Sequence, residues 1–190
     1  AISTLAPSQS PDGGSNKRLR DLRRYPATLG LYGVGLTSIA SENWPLISYL
    51  LTQTIEVSRS RGRDPVEKNP VEALHPRYLT REWGRGFDRE GAEESLRSSM
   101  NETLREPALE FFTSESTYER EFKRFEVILD LLWYAQGNGE GVVSLGTTYW
   151  GESIDELKAE IEQQGTEWPL IREEVLKIDC DEAIEVLDTI

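Results

Sequence analysis

Three reactive residue types are almost missing from this chain: its 190 residues include one cysteine, one histidine and one methionine. A lone thiol, Cys180, closes no disulfide within the chain, which argues against a stapled secreted domain and for a cytoplasmic one. A lone imidazole, His75, excludes every metal site built on two histidines, and no cofactor is expected. Long apolar runs are also absent. The longest, 27–40, is interrupted by Gly30, Gly33, Gly35, Thr28, Thr37 and Ser38, and its 14 residues fall short of the roughly 20 that span a bilayer. No membrane partner is expected. The start, 1–16, lacks the basic and apolar regions of a signal peptide and is rich in Ser, Pro and Gly, as a flexible linker or tail would be. With Ala1 first and Met100 the sole methionine, the chain reads as a segment of a longer protein.

What is abundant is negative charge, unevenly spread. The net charge of −13 divides into +3 over 1–90 and −16 over 91–190. An acidic half of that size repels nucleic acid and anionic lipid and suits solubility or a basic protein surface. The first half holds two basic clusters. One comprises Lys17, Arg18, Arg20, Arg23 and Arg24; the other comprises Arg59, Arg61 and Arg63. They supply the alternative reading, a nucleic-acid-associated helical protein, although no base-reading motif accompanies them.

Hydrophobic spacing predicts a mainly α fold, a multi-helix bundle with an N-terminal helical hairpin over 17–57. Leu19, Leu22 and Tyr25 permit a short amphipathic turn, and Pro26 suits the first turn of the helix that follows. Over 27–41 apolar residues occupy most of the circumference, so a helix there must be buried. Gly30, Gly33, Thr37 and Ala40 form a small-residue strip for a close neighbour. The glycines keep a strand alternative open. Asn43 offers an N-cap and Pro45 a first-turn proline for a second helix carrying Leu46, Ile47, Leu50, Leu51 and Ile55.

A Gly/Pro-rich connection, 58–91, has room for short helices around 71–74 and 78–83. An acidic helical subdomain, 92–190, follows. Its clearest element is a helix over 117–136, with Ser116 and Glu119 as a capping box, Phe122, Phe125 and Leu129 on one face, and a stop at Gly137. Residues 142–150 have the composition of one short strand or β-hairpin. Ser153 with Glu156 is expected to cap a helix that closes at Gly165. A further helix is expected from Trp168 and Pro169, with Ile171, Val175 and Ile178 on one face, and Asp181 is expected to cap the last one.

No catalytic constellation emerges. The Gly30 to Gly35 run matches neither phosphate-loop pattern and fits close helix packing better. Trp83, Arg85 and their glycine neighbours could stack on or pair with a partner group, against the alternative of an anchored surface loop. His75 has no nucleophile motif to work with. Asp179, Asp181 and Glu182 around Cys180 lack the spacing of a calcium loop and suit helix capping.

Several patches, Arg24-Tyr25-Pro26-Ala27-Thr28-Leu29, Arg124-Phe125-Glu126, Gly146 to Gly151, Trp168-Pro169-Leu170-Ile171 and Asp179 to Glu182, resemble the C-terminal helical regions of large prokaryotic SIR2-like or NTPase-type proteins of antiviral defence. The resemblance extends over about half the chain, in short patches such as these. The turn before Cys180 lacks the Gly-Leu-Phe-Gly type of sequence of that pattern. The resemblance implies a non-catalytic region, hence no transferable active-site residue. The expected function is an interaction, oligomerisation or sensing module of a larger protein, with a protein partner (a second copy or an adjacent domain). Its candidate interaction residues are Lys17, Arg18, Arg20, Arg23, Arg24, Trp83 and Arg85.

Overall fold

A computed structural model describes residues 24–57, 65–76, 89–138 and 147–189. Eight α-helices and one small antiparallel sheet make up these segments, so the mainly α expectation holds. In chain order they are α1 (Tyr25–Ala40), α2 (Trp44–Thr52), β1 (Ile55–Val57), β2 (Val66–Lys68), α3 (Pro70–Leu74), α4 (Arg89–Ala108), α5 (Glu115–Trp133), α6 (Thr147–Gln164), α7 (Pro169–Arg172) and α8 (Cys180–Thr189). No described helix is long and apolar enough to cross a membrane.

The N-terminal helical pair forms, but its second helix stops at Thr52, and Ile55, expected on that helix, lies in β1, so the 55–57 end of the expected hairpin is extended. Helix α1 carries no charged residue, has proline in its first turn and buries Ala27, Leu31, Tyr32, Leu36 and Ile39. It ends where Glu42 turns into the left-handed region at φ 52°, and the Asn43 N–H closes the end by donating to the Ser38 carbonyl at 2.8 Å. The Asn43 side chain then accepts from the Leu46 N–H and starts α2, as expected from its position before Pro45. The glycine that matters for packing is Gly35, which lies outside the predicted small-residue strip. A methyl group there would sit 2.2 Å from Cζ of Phe125, whereas one at Gly33 would meet only Leu104 at 4.0 Å.

Helix α5 is the spine. It touches α1, α3, α4, α6 and α8, and its second half is buried on every side from Phe125 to Trp133. Tyr32 of α1 stands edge-on to Phe125 with ring centroids 5.3 Å apart. Phe122 links Tyr32 to Tyr118, and Tyr118 packs on Phe112. One core therefore runs across residue 91, where the charge balance changes sign. Helix α5 leaves through a π-helical turn, Tyr134–Asn138, with Gly137 left-handed at φ 76°, close to the predicted stop.

Several local expectations are corrected. Ser114, with extended φ/ψ, is the N-cap of α5 and accepts from the Thr117 N–H; Ser116 lies one turn position inside and only bonds to the Ser114 hydroxyl. Ser153 is buried in the interior of α6, which has begun by Thr147, so the 147–150 part of the predicted strand is helical. Residues 142–146 lie outside the described residues. The small sheet is instead β1 with β2, paired Ile55 to Lys68, Glu56 to Glu67 and Val57 to Val66. Gly165 does close α6, at φ 57°. The helix expected after Pro169 stops after four residues because Glu174 turns left-handed at φ 54°, and Leu170, with Ile171 only half-buried, enters the core. Asp179 caps α8 by accepting from the Glu182 N–H at 2.9 Å, in place of Asp181. The predicted short helix around 71–74 is α3; the tail 1–16, the turn around 17–23 and the 78–83 helix fall outside the described residues.

Candidate functional site: a buried charge cluster

Helix α5 presents Glu126 and Asp130 one turn apart, within a run otherwise made of Phe125, Val127, Ile128, Leu129, Leu131 and Leu132. A helix apolar around its circumference is enclosed, so these carboxylates have to be buried and must find partners there. They are 0% and 4% exposed. Arg97 of α4 meets both: one guanidinium nitrogen pairs with Glu126, and the other lies 3.1 and 3.2 Å from the two oxygens of Asp130.

The fourth member is His75. Asn69 caps α3 by accepting from the Glu72 N–H, and the short helix delivers His75 at its C-terminal end. Nε2 of His75 is 2.9 Å from Oδ1 of Asp130, and the imidazole stacks on Trp133 at 4.7 Å between ring centroids. The ring is fully buried. Beside it, the hydroxyl of Thr28 on α1 donates to the Leu74 carbonyl, tying α3 to α1. The Arg97 guanidinium also lies 6.0 Å from the centre of the Trp150 ring. Four charged or titratable side chains from three helices thus meet in the core, two carboxylates against one guanidinium and one imidazole.

A second network lies nearer the surface. Glu121 accepts from the exposed Arg120 at 2.7 Å, and this hydrogen-bonded ion pair holds the Arg120 guanidinium even more firmly protonated than usual. Arg124 pairs with Glu160, whose carboxylate also accepts from the indole N–H of the buried Trp168 at 3.2 Å. Its guanidinium lies 5.7 Å from the Trp44 ring centre, joining α2 to α5 and α6. Arg105 bridges Glu115 at 2.8 Å and Glu119 at 2.9 Å, so the predicted capping-box glutamate serves as an ion-pair partner. Burial pushes the Tyr118 phenol well above its ordinary value, with Arg105 opposing the shift; its hydroxyl donates to the Asn101 carbonyl at 2.9 Å.

Of the residues singled out from the sequence, Lys17, Arg18, Arg20, Arg23, Trp83 and Arg85 lie outside the described residues, as do Arg59, Arg61 and Arg63. Arg24 stands at the N-cap of α1, where its carbonyl accepts from the Thr28 N–H and hydroxyl. Cys180 is half-buried at the start of α8. No group of three or more His, Cys, Asp and Glu among the described residues could hold a metal ion. A cleft of about 530 Å³ opens between the end of α2, the start of α3 and the end of α5, with Asn69, Glu72, Gln136 and Lys177 on its walls, and none of its lining residues belongs to the buried cluster. Arg97, Glu126 and Asp130 did not stand out in the sequence, although two acids inside the apolar run of α5 were a visible signal.

The chain matches no protein-family model, and no curated protein or solved structure is significantly similar to it.

Proposed function

We propose that the chain is a non-catalytic helical module that binds a protein surface, a second copy of itself or an adjacent domain, within a larger cytoplasmic protein. The resemblance to C-terminal regions of prokaryotic defence proteins extends the proposal to a role in oligomerisation or in relaying a sensing event.

The observation that carries it is the exposure of large apolar side chains on two helix ends. Tyr49 and Leu46 occupy the outer face of α2 at an i, i+3 spacing and are 62% and 39% exposed. Phe111 and Leu109 follow α4 at 66% and 39%. Tyr and Phe are the kind of rigid, mostly apolar anchors that protein interfaces enrich. The buried cluster supports the same conclusion, because His75, Arg97, Glu126 and Asp130 are engaged with one another inside the core.

The test is light scattering of the full chain over a hundredfold concentration range, alone and as Tyr49→Ser and Phe111→Ser. Association that weakens at least tenfold in either variant, with an unchanged circular dichroism spectrum, is expected. Equal behaviour of both variants and the parent would refute self-association through these side chains.

A further inference from the structure

Helix α4 turns one face to the core and leaves another without a partner. Leu96, Arg97 and Met100 are buried, whereas Ser99, Glu102, Thr103 and Glu106 are exposed at i, i+3, i+4 and i+7, one stripe along the helix. Glu110, also exposed, follows just past its end. Among the described residues none of these three carboxylates is ion-paired; Arg105, the cation on this part of α4, is engaged with Glu115 and Glu119. Exposed acids are ordinary in a half this acidic, and alone they select no partner. What singles this stripe out is its place in the chain. The hydroxyl of Tyr25, the first residue of α1, lies 3.3 Å from that of Ser99 and 3.4 Å from that of Thr103. The polypeptide therefore enters α1 on the stripe itself, and the sequence just before that point carries Lys17, Arg18, Arg20 and Arg23 with only Asp21 opposing.

We propose that the exposed face of α4 is the docking surface of the chain's own basic segment, residues 17–23, whose cations pair with Glu102, Glu106 and Glu110. The charges match, three net positive against three carboxylates. Reach is sufficient: seven extended residues span about 25 Å, and Ser99 to Glu106 is about 10 Å of helix. Exposed pairs of long side chains are individually weak and are screened by salt. Attachment through Tyr25 makes the contact intramolecular, at an effective concentration in the millimolar range, which favours this segment over a free basic peptide. The contact is separate from the association proposed above, which rests on Tyr49, Leu46, Phe111 and Leu109.

Trypsin reads the contact directly, because it has to take a Lys or Arg side chain into its own active site and cannot do so while that side chain is held on α4. Cleavage of the full chain after Lys17, Arg18, Arg20 and Arg23 is followed by mass spectrometry at low salt and at 0.5 M salt, with a synthetic peptide of residues 14–28 correcting for the protease's own response to salt. Relative to the peptide, the full chain is expected to be cut roughly three- to tenfold more slowly at low salt, with the protection lost at 0.5 M. The variant Glu102→Gln, Glu106→Gln, Glu110→Gln should lose it at low salt with an unchanged circular dichroism spectrum. Glu182→Gln with Glu185→Gln, which removes exposed acids of α8, should retain it. Equal protection of the parent and the triple variant overturns the proposal, as does equal loss in the α8 variant, which would make the effect one of net charge. Protection that grows with chain concentration overturns it too, since the segment would then sit on another copy. If the triple variant fails to fold, Glu106→Gln alone decides, with partial loss expected and full protection refuting.

Discussion

Replacing Arg97 with methionine tests whether the buried cluster is a keystone of the fold. Methionine retains a long unbranched stem, so the loss is that of the guanidinium, which pairs with Glu126 and lies within 3.2 Å of both Asp130 oxygens. Both carboxylates stay almost fully buried, at 0% and 4% exposure. Breaking a buried pair from one side costs about 3–5 kcal/mol, because it leaves an uncompensated buried charge. Here the same guanidinium contacts both carboxylates, which puts the expected cost toward the upper end. Against a total stability of roughly 5–15 kcal/mol, that is a large share. With a urea dependence of about 2 kcal/mol per molar, the unfolding midpoint should fall by about 2 M, read by circular dichroism at the parent's most stable pH. Replacing the four members together by apolar residues (His75→Leu, Arg97→Met, Glu126→Leu, Asp130→Leu) should cost less than Arg97→Met alone, since both buried carboxylates are then removed along with the guanidinium. A midpoint for Arg97→Met within 0.5 M of the parent would refute this reasoning. A change that small belongs to partly exposed pairs such as Lys158 with Asp188, where about 0–1 kcal/mol is expected.

Two alanine substitutions on α1 should act in opposite directions. Gly35→Ala places a methyl group 2.2 Å from the fully buried Phe125 ring and should destabilise by about 1–3 kcal/mol or more, whereas Gly33→Ala meets only Leu104 at 4.0 Å and should gain up to about 1 kcal/mol of helix propensity; paired thermal melts check the signs. Tyr118→Phe removes the hydrogen bond to the Asn101 carbonyl and should cost about 1 kcal/mol near neutral pH. Because the folded-state phenol titrates above its ordinary value, the parent loses stability as pH rises from about 10, and the variant should lack that loss in urea titrations at pH 9.5–11. Glu174→Gly relieves a left-handed residue at φ 54° and should raise stability by a few tenths of a kcal/mol, the strain relieved being partly offset by the freer unfolded chain; a loss of stability would show that the Glu174 side chain makes a contact that matters.

Where the sequence was legible, the signal was local and chemical. Pro26, Asn43 and Pro45 start α1 and α2 because a first turn tolerates proline and an asparagine side chain can satisfy an orphan N–H. Choices among neighbouring caps were not legible. Ser114 and Ser116 differ by two positions and both precede a glutamate-bearing turn, and only the extended backbone at Ser114 separates them. The small sheet was hidden for another reason: each strand has three residues, and Glu56 faces Glu67 across it, so no alternation longer than one repeat exists to be read. Like charges opposite each other oppose the pairing, and the burial of Ile55 and Val57 favours it.

The charge cluster lies between these cases. Its membership is a matter of tertiary packing, since residues 75, 97, 126 and 130 converge from three helices and no spacing rule brings them together. Its existence, however, was implied by α5 alone. Once Phe125 to Trp133 is accepted as a helix apolar around its full circumference, Glu126 and Asp130 have no route to solvent, and the free-energy cost of two buried carboxylates requires a cation from elsewhere in the chain. The first half, with 13 Lys and Arg, is well supplied with candidates. Among the described residues the cation that meets them is Arg97, from the acidic half, where cations are scarce, and its placement ties α4 to α5. Substituting Arg97 should therefore disturb the α4–α5 packing as well as the electrostatics.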